Sequence, residues 1–312
     1  MDSLTQFVLG GSVALAVAPE KNAKIALVGG LIATLPDLDI FFNYGNDLLN
    51  TVNHRGWTHS LIYLSLISPF IGWVGFRLVG LFGYFRWFLI AWMALLTHTL
   101  LDSFTIFGTS LFLPLSDMRV MTGSIFIIDP VYTVPLLFSI ILALSGKEVF
   151  WRIKNFNTWA LVFSHLYLLL SFSIQQALVP EGKAFATPTP FNIIKWRVVE
   201  INDKTISEYF VDIFGNKGEK VVVLNNQILA KEFKEVLDKY QNFTNGFFNV
   251  EVIDDKMILV DLRMGGIEKS VFRFVIAELV NDQWLKVKPY RIMSVLNINQ
   301  IYGVKSNKDL PS

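Results

Sequence analysis

The chain has four histidines, and three of them lie near acidic residues in a pattern that suits metal binding. His98 and Asp102, in the stretch "THTLLD", are four residues apart, so on a helix both side chains lie on one face, one turn from each other. Side chains at this spacing can converge on a single ion. A mutual hydrogen bond is the alternative. The pair ends an apolar segment, where ionisable residues are costly and therefore indicate function.

The stretch "HRGWTHS" contributes two further imidazoles, His54 and His59, just before another apolar run. Their spacing corresponds to about 140° on a regular helix, so both can bind one ion only if His54 precedes the helix. Thr58 or Ser60 is a candidate cap for that helix. Arg55, between the two histidines, carries a planar guanidinium that can bind a phosphate through two hydrogen bonds.

Three aspartates complete the set of candidates. Asp37 and Asp39 lie in "LPDLDI", after a proline that ends an apolar segment, and a solvated turn is the alternative interpretation. Asp129, in "FIIDP", begins another apolar segment, either as a cap stabilised by the helix dipole or as a partner of a metal ligand. His165 lies inside an apolar segment, which favours a hydrogen-bonding role in a helix bundle.

These residues predict a site for a divalent metal, with one or two ions and zinc the best choice. The chain has no cysteine, so any ligand is a histidine, a carboxylate or a backbone oxygen. A catalytic zinc lowers the pKa of its bound water to about 7, which would supply a nucleophile for hydrolysis. Which of each histidine and aspartate pair binds the ion stays open. The predicted ligands are Asp39, His54, His59, His98 and Asp102, and the predicted catalytic residues are Asp37, Arg55 and Asp129.

Composition indicates a membrane protein with a separate soluble part. The 312 residues are 53% hydrophobic and 17% charged, against about 25% charged in soluble domains. Residues 1–179 hold nine of the 27 Lys and Arg and nine of the 26 Asp and Glu, which predicts a boundary near residue 180. The net charge of +1 without a basic block argues against a nucleic-acid partner.

The apolar pattern predicts an all-α membrane bundle of about six segments over residues 1–179. A spanning helix needs about 20 apolar residues, a length that the last four segments meet, and the first two are shorter and rich in Gly and Ala. Alternating β-branched runs predict a small α+β domain over 180–312, mainly antiparallel sheet, with one helix from Asn226 to Gln241. The six segments are Leu4–Ala18, Ala23–Leu35, Ser60–Phe82, Tyr84–Leu101, Ile125–Leu144 and Thr158–Val179.

The orientation follows from the basic residues of short loops, which favour the cytoplasm. Three alternate loops carry most of them, namely Lys21, Lys24, Arg77, Arg86, Lys147, Arg152 and Lys154. Six crossings then place the loops 36–59 and 102–124 and the C-terminal domain outside the cytoplasmic (inner) membrane. All the candidate metal ligands are predicted to lie at that outer face.

Several motifs, taken in order, resemble the YdjM-like family of membrane-bound metal-dependent hydrolases. They are "MDSLT", "PDLD", "HRGWTHS", "HTLLDSFTIFGTSLFLPLSD", "FIIDP" and "TPTPFNIIKWRVV". The resemblance covers most of the first 200 residues and implies a hydrolase without naming its substrate. Gln6 stands where members of that family often have histidine, and no histidine closely follows the HxxxD pair, so one or two ions fit better than three.

More distantly, the acid–His–HxxxD pattern is similar to the zinc-dependent phospholipase C and single-strand nuclease superfamily. That similarity implies that the ligands are Asp37 or Asp39, His54 or His59, His98 and Asp102. It also implies that Asp102 is able to bridge two ions.

Three functions are compatible with these features. The first is a hydrolase of a phosphoester or ester in a lipid-like substrate of the bilayer, because the site lies at the depth of the headgroups. The second is a transporter of metal ions or small solutes, since polar residues near Gly-rich short helices also mark ion pathways. The third is a non-enzymatic envelope or assembly factor with a structural metal site. A cluster at one membrane face favours the hydrolase.

Overall fold

A computed structural model describes residues 1–19, 23–145, 150–267 and 270–292, with the backbone alone for 150–155. The chain separates into two compact units. The helical unit contains Met1–Phe42 and His54–Ile174, and the soluble unit contains Asn43–Asn53 and the chain from Gln175 onward. Lys21 and Lys147, on which the orientation argument draws, lie outside the described residues, as do the side chains of Arg152 and Lys154.

Seven α-helices precede the first strand in the described chain, and α3 is the one that belongs to the soluble unit. Two three-ten helices, Leu35–Phe41 and Trp57–His59, flank α3 and carry candidate site residues. The α-helices are α1 (Ser3–Val17), α2 (Ala23–Thr34), α3 (Asp47–Asn53), α4 (Leu61–Val79), α5 (Tyr84–Ser103), α6 (Pro130–Leu144) and α7 (Phe150–Leu178).

Three helical stretches are long and apolar enough to cross a membrane: Leu61–Val79, Tyr84–Ser103 and Phe156–Leu178. α1 and α6 are apolar but have 15 residues each, so each is about 22 Å long, less than the roughly 30 Å of a hydrocarbon core. The described helical unit therefore provides three candidate spans together with shorter apolar helices, rather than the four full-length and two shorter segments that were predicted.

The fifth predicted segment is shorter than expected at its start. α6 begins at Pro130 rather than near Ile125, because Asp129 caps it: its Oδ1 accepts the N–H groups of Val131 and Tyr132, at 3.0 and 3.2 Å. Proline at the first helical position needs no hydrogen bond and has a suitable φ. The chain before it runs as a loop that includes one antiparallel bridge, Thr109 to Val120.

α1 and α2 pack backbone against backbone, as their small residues predict. A Cβ added at Gly29 would lie 2.2 Å from the Cβ of Ala14 and 2.8 Å from the carbonyl oxygen of Gly10. A Cβ added at Gly10 would lie 2.2 Å from the Cβ of Ala33. Small residues at such contacts let helices approach within membranes. This packing fixes the start of α1 and the end of α2, and both of these ends lead to the candidate site.

The soluble unit contains two four-stranded antiparallel sheets, in the orders β1-β2-β3-β4 and β5-β6-β7-β8. The predicted helix from Asn226 begins instead as a three-ten helix, Gln227–Phe233, and continues as α8 (Lys234–Thr244). Asn226 makes no side-chain cap there. The strands are β1 (Ala184–Pro188), β2 (Lys195–Ile201), β3 (Thr205–Asp212), β4 (Val221–Leu224), β5 (Phe248–Ile253), β6 (Lys256–Asp261), β7 (Arg273–Val280) and β8 (Gln283–Ile292).

One polar cluster stabilises the first sheet across its strands. The Tyr209 hydroxyl donates to Glu200 Oε1 at 2.8 Å, and Lys220 Nζ lies 3.0 Å from Glu200 Oε2. Burial raises the pKa of Glu200, but these two hydrogen bonds outweigh it and hold the pKa below its ordinary value. Burial and the adjacent carboxylate raise the pKa of Tyr209 to about 12.

α3 belongs to the soluble unit although the chain on either side of it returns to the helical unit. Leu48 is buried, and Asp47 Oδ2 accepts the backbone N–H of Arg291 in β8 at 2.9 Å. The short helix thus links the segment that carries Asp37 to the segment that carries His59.

Candidate metal centre

Asp37, His59, His98 and Asp102 form a group that could hold a metal ion, because one ligand atom from each lies within 4.8 Å of all the others. Asp37 comes from the three-ten helix Leu35–Phe41, and His59 ends the three-ten helix Trp57–His59. His98 and Asp102 lie one turn apart near the end of α5. The side chains of the two histidines and Asp102 are fully buried, whereas that of Asp37 is 18% exposed. Asp37 is therefore the member of the group that reaches the protein surface.

The separations of the ligand atoms fit a tetrahedral ion. The two imidazole Nε2 atoms are 3.1 Å apart. Asp37 Oδ1 lies 3.4 Å from His59 Nε2 and 3.6 Å from His98 Nε2. Asp102 Oδ2 lies 3.3 Å from His59 Nε2 and 3.4 Å from His98 Nε2. A regular tetrahedron with bonds of about 2.0–2.2 Å has edges of about 3.3–3.6 Å. Four of the six edges thus have the length that a bound ion would impose, and a fifth, between the two imidazole Nε2 atoms, is slightly shorter.

One unpaired buried atom of the group, Asp102 Oδ2, also fits an ion. Among the described residues, Asp102 Oδ2, Arg55 Nε, His98 Nδ1 and Gln6 Oε1 are buried without a hydrogen-bond partner. Three nitrogens lie within 3.4 Å of Asp102 Oδ2, yet none makes an aligned hydrogen bond to it. A buried carboxylate oxygen without a donor is costly. A cation among the four ligand atoms would remove that cost.

The second oxygen of Asp102 is held by the beginning of α1. Asp102 Oδ1 accepts hydrogen bonds from the amino nitrogen of Met1 and from Gln6 Nε2, the latter at 2.8 Å. Asp2 caps α1 by accepting the N–H of Thr5 at 3.0 Å. Gln6 therefore acts as a hydrogen-bond donor that orients Asp102, leaving Oδ2 to face the two imidazoles.

Arg55 lies inside the same cluster. Its Nε is 3.1 Å from Asp102 Oδ2, and its Nη1 donates to Thr105 Oγ1 at 3.0 Å. The residue is only 5% exposed, and its guanidinium carbon lies 5.3 Å from the centre of the Phe107 ring. The positive charge of Arg55 thus lies beside the candidate ligands, where it could neutralise an anionic group of a substrate.

Asp39 and His54, both predicted ligands, lie beside the four-residue group but outside it. Asp39 Oδ1 is 2.7 Å from His54 Nδ1, and Asp39 Oδ2 accepts the N–H of Arg55 at 2.9 Å and the hydroxyl of Thr58 at 2.8 Å. Both oxygens of Asp39 are therefore engaged in holding the turn from His54 to His59. Metal ligation by Asp39 and His54 stays a prediction.

The two carboxylates of "PDLD" have pKa values shifted in the same direction. Burial raises the pKa of Asp37, but the hydrogen bond and the charge that the His98 imidazole supplies favour the carboxylate, so this pKa falls well below its ordinary value. Burial likewise raises the pKa of Asp39, and the hydrogen bond to His54 more than offsets that effect. Both groups are therefore carboxylates at neutral pH.

Asp129 and His165 stand apart from the four-residue group. Asp129 caps α6 with Oδ1, and its Oδ2 accepts the hydroxyl of Tyr167 at 2.8 Å. Its predicted catalytic role stays a prediction. His165 is exposed on α7, with Nδ1 2.8 Å from the carbonyl oxygen of Leu161 and its ring centre 6.1 Å from that of Tyr132.

Sequence reasoning missed three residues that hold the site. Thr58 contacts Asp39 instead of capping α4, a role that Ser60 takes by accepting two backbone N–H groups. Gln6 reaches Asp102, and Arg119 Nη2 donates to the carbonyl oxygen of His54 at 2.8 Å. Gln6 stands out in the sequence because it takes the place of a histidine that is common in the resembled family. The contacts of Thr58 with Asp39 and of Arg119 with His54 join residues 19 and 65 positions apart and leave no local pattern.

Comparison with known proteins supports a membrane family. The family described as YdjM inner membrane protein matches residues 1–178. Inner membrane protein YbcI of Escherichia coli (strain K12) is 37% identical over 102 residues, which cover 31% of this chain and 57% of that protein. The uncharacterized protein YfhP of Bacillus subtilis (strain 168) is 30% identical over 142 residues, 42% of each chain. The matches thus span about half the length of these curated relatives. No solved structure matches the chain significantly.

Proposed function

The chain belongs to the YdjM inner membrane protein family, and from this premise we propose that it is an integral-membrane, metal-dependent hydrolase. The observation that carries the proposal is the buried group Asp37, His59, His98 and Asp102, spaced for a tetrahedral ion. Zinc is the proposed metal, as one or two ions, because two imidazoles and two carboxylates without a thiolate suit it well.

Each residue of the group has a proposed role. Zinc, when bound, would supply Lewis acidity and would lower the pKa of a water in contact with it to about 7. His59, His98 and Asp102, all fully buried, hold the ion. Asp37, on the open side, either completes the ligand set or accepts a proton from the attacking water as general base. Arg55 stabilises an anionic oxygen of the substrate, since guanidinium groups bind phosphate through paired hydrogen bonds.

The proposed substrate is lipid-like, with a phosphoester or ester bond. Support comes from the surface around Asp37, the exposed member of the group. Phe42 and Trp57 are about half exposed, and their rings stack at 5.9 Å with an interplanar angle of 5°. Aromatic side chains at the level of the headgroups are typical of membrane interfaces. The neighbouring apolar residues Leu38, Ile40 and Phe41 are 50%, 64% and 77% exposed. An amphiphile could reach the site along this rim.

We further propose a multi-pass topology in the cytoplasmic membrane with the metal centre and the soluble unit at its outer face. Support comes from the positive residues at the alternate connections, such as Arg77 in the last turn of α4 and Arg86 near the start of α5. A reporter fused after the soluble unit and found in the cytoplasm would contradict this orientation.

A non-enzymatic structural metal site is the second candidate. The specific observation in its favour is that four protein ligands are present, since structural zinc sites have four and catalytic sites usually have three and a water. The partial exposure of Asp37 favours the enzyme, because that ligand position is the one a water could take.

Turnover assays on membrane extracts and defined phospholipids separate the two candidates. For the enzyme, we expect hydrolysis that a chelator abolishes and zinc restores. Asp37→Asn is expected to lower kcat by about 100-fold to 10,000-fold, the usual contribution of a general base, while the metal is retained. A metal-loaded protein that hydrolyses no lipid of the panel but unfolds at lower temperature after chelation would establish the structural role instead.

A further inference from the structure

We propose that Thr58 is a positioning residue that fixes the tautomer of His59, so that His59 Nε2 is unprotonated and faces the metal centre. The inference deepens the proposed function and rests on metal binding by His59. The relay runs from the carboxylate of Asp39 through the hydroxyl of Thr58 to the imidazole of His59.

The direction of this relay follows from the number of protons available. Thr58 Oγ1 donates to Asp39 Oδ2 at 2.8 Å, and an ionised carboxylate can only accept. A hydroxyl has a single hydrogen, so Thr58 has nothing left to donate to His59 Nδ1, which lies 3.0 Å from the same Oγ1. His59 must therefore be the donor, and its proton is on Nδ1. In a neutral imidazole the other nitrogen, Nε2, then keeps its lone pair.

The lone pair lies where the other ligand atoms converge. His59 Nε2 is 3.1 Å from His98 Nε2, 3.4 Å from Asp37 Oδ1 and 3.3 Å from Asp102 Oδ2. Metal-bound histidines usually donate their second N–H to an acceptor that fixes ring orientation and raises basicity. Thr58 supplies that acceptor here, so the relay turns the ring and selects the protonation state that binds a cation.

Asp39, which accepts the proton of Thr58, is held in place by several contacts. Asp39 has no exposed side-chain surface, and besides Thr58 it contacts His54 Nδ1 at 2.7 Å and the N–H of Arg55 at 2.9 Å. Arg55 has a positive φ of 59°, so the backbone turns sharply between the two histidines. The turn from His54 to His59 therefore wraps around one buried carboxylate, which gives Thr58 a fixed partner for its proton.

The matched variants are Thr58→Val, which keeps the shape but removes the hydroxyl, and Thr58→Ser, which keeps the hydroxyl. We expect Thr58→Val to weaken zinc affinity by about 10- to 100-fold, the usual effect of losing such a partner, and Thr58→Ser to stay within about threefold of wild type. Zinc affinity is measured by competition with a chromophoric chelator on the full-length protein in detergent.

Nitrogen-15 NMR of histidine-labelled, metal-free protein provides a readout that a packing defect does not move. His59→Gln identifies the signals of His59. Wild type and Thr58→Ser are expected to show His59 protonated on Nδ1, and Thr58→Val to show a mixture of tautomers.

The outcomes separate this inference from the proposed function. If wild type binds no metal, the hydrolase proposal fails, but the NMR signals still decide the tautomer. Equal zinc affinity in wild type and Thr58→Val, or a wild-type His59 protonated on Nε2 alone, overturns the role of Thr58 even if the protein is a zinc hydrolase. If Thr58→Val does not fold, the wild-type NMR spectrum and the Thr58→Ser affinity still test the inference.

Discussion

Replacing Arg55 by methionine is expected to tighten metal binding while weakening the binding of an anionic substrate. Arg55 Nε lies 3.1 Å from Asp102 Oδ2, in a pair that is almost fully buried. Methionine retains an unbranched stem but has no charge. Because the guanidinium and a bound cation would compensate the same carboxylate oxygen, removing the guanidinium leaves that oxygen to the cation alone.

The size of the effect follows from the burial of this pair. Removing one partner of a buried ion pair costs about 3–5 kcal/mol, because the other charge is left uncompensated. That cost falls on the metal-free form, since a bound cation compensates Asp102 in the metal-bound form. If zinc binding relieves half of this destabilisation of the metal-free form, the variant gains that free energy on binding. Zinc affinity then rises by about 10- to 60-fold, at 1.4 kcal/mol for each factor of ten.

Arg119→Met is the matched control. Arg119 is also 5% exposed and also lies against Phe107, at 5.7 Å from the ring centre, but its guanidinium donates to the carbonyl oxygens of Gly108 and His54. Chelator competition measures zinc affinity for both variants, and inhibition by inorganic phosphate measures anion binding. We expect tighter zinc binding only in Arg55→Met. Unchanged or weaker zinc binding in that variant would refute the electrostatic reasoning.

Three further outcomes follow from packing and charge. Gly29→Ala is expected to cost about 1–3 kcal/mol, because its Cβ would lie 2.2 Å from that of Ala14. Gly218→Ala, whose added Cβ would come no closer than 3.6 Å to another atom, should leave the thermal midpoint unchanged. Leu48→Ala removes a fully buried side chain, so denaturant unfolding should show a loss of about 2–5 kcal/mol; a loss under 1 kcal/mol would argue against α3 packing on the soluble unit. The pKa of Glu200 is lower in the folded than in the unfolded chain, so its ionised form stabilises the fold above the unfolded-state pKa, and this stabilisation is lost as the pH falls. The free energy of unfolding of Glu200→Gln should therefore fall less steeply with acid than that of wild type.

The pair His98 and Asp102 could be predicted from spacing alone. Residues four apart on a helix share a face, and α5 carries both of them buried at its end. The choice between Asp37 and Asp39 could not be predicted, because both follow one proline in a three-ten helix. Only the tertiary fold directs Asp37 toward the Nε2 atoms of His59 and His98, and Asp39 toward the turn from His54 to His59.

The architecture was predictable where the local pattern was strong. The long apolar runs of α4, α5 and α7 and the alternating strands of the soluble unit follow from periodicity. The membership of α3 in the soluble unit does not, because a seven-residue polar helix has no periodic signal and its contact with β8 joins residues 244 positions apart. Long-range contacts of this kind also hid the roles of Thr58 and Arg119.

The most direct test of the metal centre is the metal content of the purified full-length protein beside that of His98→Ala, with His165→Ala as the control. We expect about one or two zinc-like ions per chain in wild type and in His165→Ala, held by the histidine and carboxylate ligands. We expect almost none in His98→Ala, because one of the four converging ligand atoms is lost. The absence of metal from wild type, or equal metal in wild type and His98→Ala, would rule out the proposed metal centre.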